Sequence, residues 1–193
     1  MKPTFIKFIK TLTRIPKEQE EKFCALLTEK QIKKDDTFVR AGEYPKTIGF
    51  VKEGLFRYYY TNSQGVEYTK GFFMENTTLI SYSAILENRG SYFTIEALED
   101  SIIEQVNYEK FNVLFSEHPC WNRFLIPVLQ KGYIVKEERE REFLLYDAEQ
   151  RYRAFLKKYP GLDRRLKKHV IASYLGIMPE SLSRIRKKMG LLT

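Results

Sequence analysis

The sequence is poor in the residues that build covalent or metal-centred chemistry. It holds two cysteines, Cys24 and Cys120, and two histidines, His118 and His169. Thiols so far apart in sequence allow one disulfide at most, and they exclude a Cys-x-x-Cys redox pair or an iron–sulfur cluster within one chain. The simplest reading is two reduced thiols in a cytoplasmic protein. One histidine sits beside Pro119 and the other in a basic helix, which is a poor set for haem or a metal ion. The sequence shows no Ser-His-Asp arrangement, phosphate-binding glycine loop, metal-spaced His/Cys cluster or isolated carboxylate pair. Catalytic residues, a metal and a bound cofactor are therefore not expected, and the chain does not read as an enzyme. Long apolar runs are scarce at the start as well. The opening stretch, MKPTFIKFIKTLTRIP, has lysines interrupting its apolar residues. It suits a short amphipathic helix rather than a signal peptide or a membrane span.

What is present is a large apolar fraction and an uneven charge. At 193 residues and 43% hydrophobic, the chain can bury a proper core as one large or two small domains. Residues 147–193 hold twelve Lys and Arg against four Asp and Glu, which leaves twenty-one of each in residues 1–146. The whole formal net charge of +8 thus belongs to the last part of the chain. A basic segment with a regular apolar pattern points to a polyanion, here double-stranded DNA. A membrane surface would need a lipid-facing apolar stripe with interfacial aromatics, which does not accompany these charges.

Three zones follow one another. Residues 1–34 are helical in character, with a break at Pro16. Residues 35–107 change period. Seven short aromatic and β-branched runs, starting near 37, 47, 55, 66, 77, 92 and 101, alternate with turns carrying Gly42, Gly54, Gly65 and Gly71. They predict a compact antiparallel barrel or sandwich, with Asn62-Ser-Gln-Gly65 as a hairpin loop. From Tyr108 the helical period returns: a short helix over 108–115, a break at His118-Pro119, and a long helix over about 120–146. In that helix Trp121, Leu125, Val128, Gly132 and Val135 fall at heptad spacing, and packing on the β domain explains the stripe as well as dimerisation does. Asp147 is placed to cap a following helix over 148–159.

The last stretch, residues 166–190 (LKKHVIASYLGIMPESLSRIRKKMG), reads as a helix-turn-helix. A first helix reaches Leu175, Gly176 and Ile177 turn the chain, and Pro179 opens the second helix, where its missing N–H has no intrahelical role. Ala172 is small enough for two helices to cross closely, and Ile171, Leu175, Ile177, Leu182 and Ile185 supply the buried contacts. At about 100° per residue, Leu182, Ile185 and Met189 share one face of the second helix. Glu180, Arg184 and Lys187 share the opposite face, flanked by Ser181 and Lys188. Such a face suits major-groove reading: a carboxylate for cytosine N4, a guanidinium for guanine O6 and N7, and lysines for phosphates. His169, at the start of the first helix, is placed to face phosphate.

This order of amphipathic helix, small β-barrel, long helix and helix-turn-helix resembles the Crp/Fnr superfamily of bacterial transcription regulators over essentially the whole chain. The segment 169–189 looks like the helix-turn-helix common in the Bacteroidetes branch. The resemblance implies an α+β fold. A β-roll sensor domain (double-stranded β-helix, jelly-roll-like, similar to a cyclic-nucleotide-binding domain) with flanking helices would occupy 1–119. A linker and dimerisation helix would span 120–146, and a small all-α DNA-binding domain 147–193. It also implies a homodimer through residues 120–146, a small molecule sensed in the roll, base reading by Glu180 and Arg184, and a phosphate contact at Ser181.

Two departures shape the expectation. The family's cyclic-nucleotide signature is a Gly-Glu pair followed about ten residues later by Arg-Ser or Arg-Thr. The matching positions here are Ile80-Ser81 and Ser91-Tyr92, with Arg89 two residues away. Cyclic AMP is therefore not the expected effector, because a buried phosphate without a cation would be left unpaired. The candidate ligand residues that remain are Arg57, Lys70, Ser81, Tyr82, Arg89 and Tyr92, among the roll aromatics Tyr58, Tyr59, Tyr60, Tyr68, Phe72 and Phe73. The second departure is the wing. The sequence stops at Thr193, just past the second helix, so a full winged domain with its added phosphate contacts is not expected. The leading expectation is a dimeric, sequence-specific transcription regulator with an unknown effector or none. The alternative is a small-molecule-binding signalling module without DNA-binding function.

Overall fold

The computed structural model describes residues 4–191. The chain forms two compact units: one holds the residues up to Tyr60 together with Gly71–Lys131, the other Thr61–Lys70 together with the chain from Gly132 onward. The expected α+β class, an antiparallel roll followed by a long helix and C-terminal helices, is what the structure has. Among the described residues, no helix is long and apolar enough to cross a membrane.

The first unit opens with helices α1 (Phe5–Leu12) and α2 (Lys17–Leu26). Strands β1 (Thr28–Ile32), β2 (Thr37–Val39), β3 (Thr47–Glu53), β4 (Phe56–Thr61), β5 (Glu67–Phe73) and β6 (Thr78–Leu79) follow. After the short helix α3 (Tyr82–Leu86) come β7 (Thr94–Ala97) and β8 (Ser101–Asn107). The strands make two four-stranded sheets, in the orders β1-β8-β3-β6 and β2-β7-β4-β5. Ile32, Phe38, Val51, Phe56, Leu79, Ile95 and Ile103 join them in a common apolar cluster. Helix α4 (Tyr108–Glu117) and the start of α5 (Cys120–Leu145) close a second cluster with α1, α2, β3 and β8. Phe5 stacks on Phe50 with 5.2 Å between ring centroids. Trp121 is fully buried there, and its indole N–H donates to Gln19 Oε1 at 2.8 Å.

Two expectations need correction. Residues 28–32 are not helical but form β1, whose burial pattern leaves only Ile32 inside. Pairing with β8 along its whole length makes it a strand, and so polar an edge gives no apolar period to read. The run near 77 supplies only a two-residue strand before the chain turns into α3. The heptad stripe on α5 resolves towards packing at its start, since Trp121 and Val128 belong to the first unit's core. Pro127 lies inside α5, where it removes one helical N–H donor.

The second unit contains the hairpin tip, the later part of α5, and helices α6 (Ala148–Lys158), α7 (Leu162–Arg165), α8 (Lys168–Leu175) and α9 (Pro179–Lys188). Asp147 caps α6 as expected, in a reciprocal box with Gln150. The hairpin loop also forms as read, with Asn62 Oδ1 accepting from the N–H groups of Gln64 and Val66. Gly176 closes α8 at φ +68°, a conformation strained for any residue with a Cβ. Tyr152, Phe155, Ile171, Tyr174, Leu175 and Leu182 are buried in this unit. The expectation of no full wing falls on the end of the sequence, where Leu192 and Thr193 lie outside the described residues.

Because Trp121 fills the centre of the first unit's helical core, Trp121→Ala is expected to cost about 3–5 kcal/mol in denaturant unfolding. A loss below about 1 kcal/mol would show that this cluster does not hold the unit together.

Candidate functional site

Helix α9 sorts its side chains as its period demands. Leu182 is wholly buried, Ile185 and Met189 are half-buried, and Glu180, Arg184, Lys187 and Lys188 are exposed. Ser181 is half-buried at the edge of that face, and His169 is exposed on the first turn of α8. Glu180 in the first turn and Lys187 and Lys188 in the last suit the helix dipole. Lys188 has a second partner: its ammonium lies 2.7 Å from Glu149 on α6, and with Arg153 it holds the Glu149 carboxyl below the usual carboxylate range. The outer face therefore presents one carboxylate, one guanidinium and the Lys187 ammonium, with Lys188 tied sideways.

The same helix turns a further arginine inward. Arg186 is 9% exposed, four residues after Leu182 on the same face, and its Nε donates to the Tyr152 hydroxyl at 2.9 Å. Two more arginines seat α8. Arg139 on α5 donates to the carbonyl of Tyr174 and lies 3.7 Å from that ring centroid and 4.2 Å from Phe143. Its guanidinium pairs with Glu142 at 3.5 Å. Arg151 donates to the carbonyls of Leu175 and Tyr146 at 3.0 and 2.6 Å. None of the three stood out in the sequence. Arg139 lies within a run charged on every side, and Arg186 among other basic residues, although its spacing from Leu182 was a legible sign of an inward face.

In the roll, the structure places Ser81 and Ser91 together. Their hydroxyls lie 2.9 Å apart and both residues are buried. Ser91 donates its one proton to the carbonyl of Phe93 at 2.7 Å, so Ser81 is the donor to Ser91. Tyr82 follows at the start of α3, half-buried, with its phenol pKa pushed up by burial. Arg89 lies 3.7 Å from the exposed ring of Tyr92 and bonds to Glu87, whose carboxylate holds the guanidinium pKa up. Arg57 does not join this group. It lies on β4 opposite Glu96 of β7, bonded to it at 2.6 Å, on the sheet face away from Phe56 and Ile95. Lys70 belongs to the second unit and is half-buried. The aromatics divide as well: Tyr58 and Phe73 stack at 4.6 Å in the core, Phe72 and Tyr59 are buried, and Tyr60, Tyr68 and Tyr92 are exposed. Among the described residues no group of three or more His, Cys, Asp or Glu is placed to hold a metal. His118 instead accepts the N–H of Cys120 at 3.1 Å.

Residues 29–118 match the family model of the cyclic nucleotide-binding domain. No protein among those with curated functions matches the sequence. Three solved structures share the fold along most of both chains. The c-di-GMP-responsive global regulator CLP of Xanthomonas campestris is 17% identical, with a TM-score of 0.75 and coverage of 91% of this chain and 92% of that one. FixK2 from Bradyrhizobium japonicum is 20% identical, with a TM-score of 0.74 and coverage of 85% and 84%. A putative transcriptional regulator of the Crp/Fnr family from Eubacterium rectale is 16% identical, with a TM-score of 0.73 and coverage of 91% and 84%.

The residues present do not fit a cyclic nucleotide. Where the signature would place a carboxylate and a guanidinium, Ser81 donates to Ser91 and Ser91 to the Phe93 carbonyl, and the neighbouring Arg89 is bonded to Glu87. Millimolar cyclic AMP is expected to leave the unfolding midpoint unchanged; binding at a hundredfold excess over Kd would add about 2.7 kcal/mol, and such a shift would refute this account. In the second unit, Arg139→Ala strips the Tyr174 carbonyl of its donor and Glu142 of its ion-pair partner. A loss of about 2–4 kcal/mol is expected in thermal unfolding, and a neutral substitution would mean that this clamp carries no stability.

Proposed function

We propose that the chain is a sequence-specific DNA-binding transcription regulator of the Crp/Fnr type, acting in the cytoplasm as a homodimer, with α8 and α9 as its helix-turn-helix. The observation that carries this reading is the division of α9 into a locked face, Leu182 and Arg186, and an exposed face, Glu180, Arg184 and Lys187. A helix held rigidly by one side and carrying donors and an acceptor on the other matches the requirement for reading base edges. In this reading Arg184 and Glu180 contact bases, Ser181 and Lys187 contact phosphate, and His169 meets the backbone from α8. Lys188 is given a lesser part, since Glu149 already holds it.

The partner in the dimer is a second copy of the chain. Ile126, Leu129 and Tyr133 are exposed on α5 at i, i+3 and i+7 spacing. An apolar stripe of this period is the usual seam between two helices. Two recognition helices brought about 34 Å apart by such a dimer would read a palindromic site. The roll then carries an effector site that does not take a cyclic nucleotide, or none.

Selection of the purified, ligand-free protein on a randomised duplex pool tests this directly. An enriched palindrome with half-sites about one helical turn apart is expected. Failure to enrich any sequence overturns the reading. On the selected site, Arg184→Ala is expected to cost about 1–3 kcal/mol and to relax preference at one base position. A uniform loss across sequences would reassign Arg184 to phosphate. Leu129→Glu is expected to shift the sedimenting species to the monomer and to abolish binding to the full palindrome, and an unchanged dimer would place the seam elsewhere.

A further inference from the structure

The inward face of α9 carries a charge where an apolar residue would serve. Leu182 and Arg186 stand one turn apart on that face, and both are buried. Arg186 donates through Nε to the Tyr152 phenol oxygen at 2.9 Å, and its guanidinium carbon lies 5.7 Å from the centre of that ring. A buried guanidinium is costly, and a leucine would hold α9 against α6 without that cost. What a leucine lacks is direction. Apolar contact is non-directional, so two apolar surfaces tolerate rotation against each other. A hydrogen bond weakens steeply once its angle falls below about 120°, so an N–H aimed at one oxygen resists the same rotation.

The phenol is a fixed point. Tyr152 is wholly buried, its ring stacks on Phe155 at 6.2 Å between centroids, and Phe155 meets Tyr174 of α8 at 5.5 Å. The Asp147–Gln150 box sets the start of α6, and Arg151, next to Tyr152, holds the carbonyls of Tyr146 and Leu175. The oxygen that receives Arg186 therefore keeps its place relative to α8 as well as to α6. The Lys188–Glu149 pair is a second tie between α9 and α6, but Lys188 is exposed, and ion pairs in water contribute little.

Arg184 stands two residues before Arg186, which places it about 160° round the helix, on the outer face. A rotation of about 20° at a radius of about 6 Å carries an outer side chain about 2 Å sideways. A binding constellation tolerates about 0.5 Å or 10–20° of error. We propose that Tyr152 is a specificity-determining positioning residue. Its phenol, through Arg186, fixes the rotation at which α9 offers Arg184 to a base edge, although Tyr152 itself is buried away from the reading face. The inference rests on the reading of α9 given above.

Tyr152→Phe keeps the ring and removes the oxygen. Selection on the randomised pool is repeated with this variant in the full-length protein. Affinities for the selected site and its single-base variants then give the preference at the position that Arg184→Ala relaxes. That preference is expected to fall about tenfold, within what one bidentate contact supplies, while binding to non-specific duplex stays as in the wild type. The double variant Tyr152→Phe/Arg186→Leu leaves no buried donor unpaired, so its unfolding midpoint is expected to match or exceed that of the wild type. Its base preference is expected to stay relaxed, whereas a merely structural pair would regain preference together with stability. A Tyr152→Phe variant with the wild-type preference, or a double variant that regains it, overturns the positioning role alone. A wild type that enriches no sequence overturns the reading of the function and this role with it.

Discussion

The last carbonyls of an α-helix have no partner inside the helix, and at the end of α8 two arginines supply what is missing. Helices leave four such oxygens, which must find water, a turn or a side chain. Gly176 handles part of the deficit through its left-handed turn, with the Gly176 and Ile177 N–H groups returning to Ser173 and Ala172. Arg139 and Arg151 take Tyr174 and Leu175, and Phe143 lies so close over Gly176 that a Cβ there would approach its ring to 3.0 Å. Cations at a helix C-terminus gain from the dipole as well as from the hydrogen bond. Because α9 begins three residues after Gly176, this small cage fixes where the outer face of α9 is presented.

The cage also changes how the basic charge should be counted. The last 47 residues carry the whole excess of +8, and a simple electrostatic reading would aim all of it at a polyanion. The structure divides it. Arg151 is spent on two carbonyls and Arg186 on a phenol, and Lys188 and Arg153 share Glu149. Exposed positive charge remains at Lys157, Arg164, Arg165, Lys167, Lys168, Arg184 and Lys187. Inward arginines such as Arg186 are costly to bury and hold their place only through a partner, here a hydroxyl on a fully buried ring. What they provide is a fixed rotation of α9 about its axis, which the proposed base reading requires more than it requires added charge.

Much of this was legible in the sequence because local rules decide it. The turn at Gly176, the proline opening α9, the Asp147 cap and the Asn62 loop each depend on a few neighbouring residues, and each forms as those residues dictate. The sorting of Leu182 from Arg184 follows from the helical period alone. What stayed hidden depends on partners distant in the chain. β1 is a strand because β8 pairs with it over 70 residues away, and its own residues, TEKQI, carry no period. Arg57 reads as a candidate for an anion until Glu96 is seen opposite it. Ser173 reads as an ordinary helical serine until its hydroxyl is seen to meet the Thr69 N–H at 2.9 Å and the Glu67 carbonyl at 2.7 Å. No spacing rule connects a residue at 173 with one at 69.

The serine pair in the roll follows the same logic and bears on what the roll can sense. A guanidinium and a carboxylate kept ready for a charged ligand are themselves costly when they lie unpaired in a partly closed pocket. Ser81 and Ser91 remove that cost, because each hydroxyl is satisfied within the protein and neither carries charge. Arg89, bonded to Glu87 and lying over Tyr92, is likewise satisfied without a ligand. An anionic effector entering here would have to break these bonds before making its own, so its net gain would be small even with good geometry. A roll satisfied in this way loses little when empty.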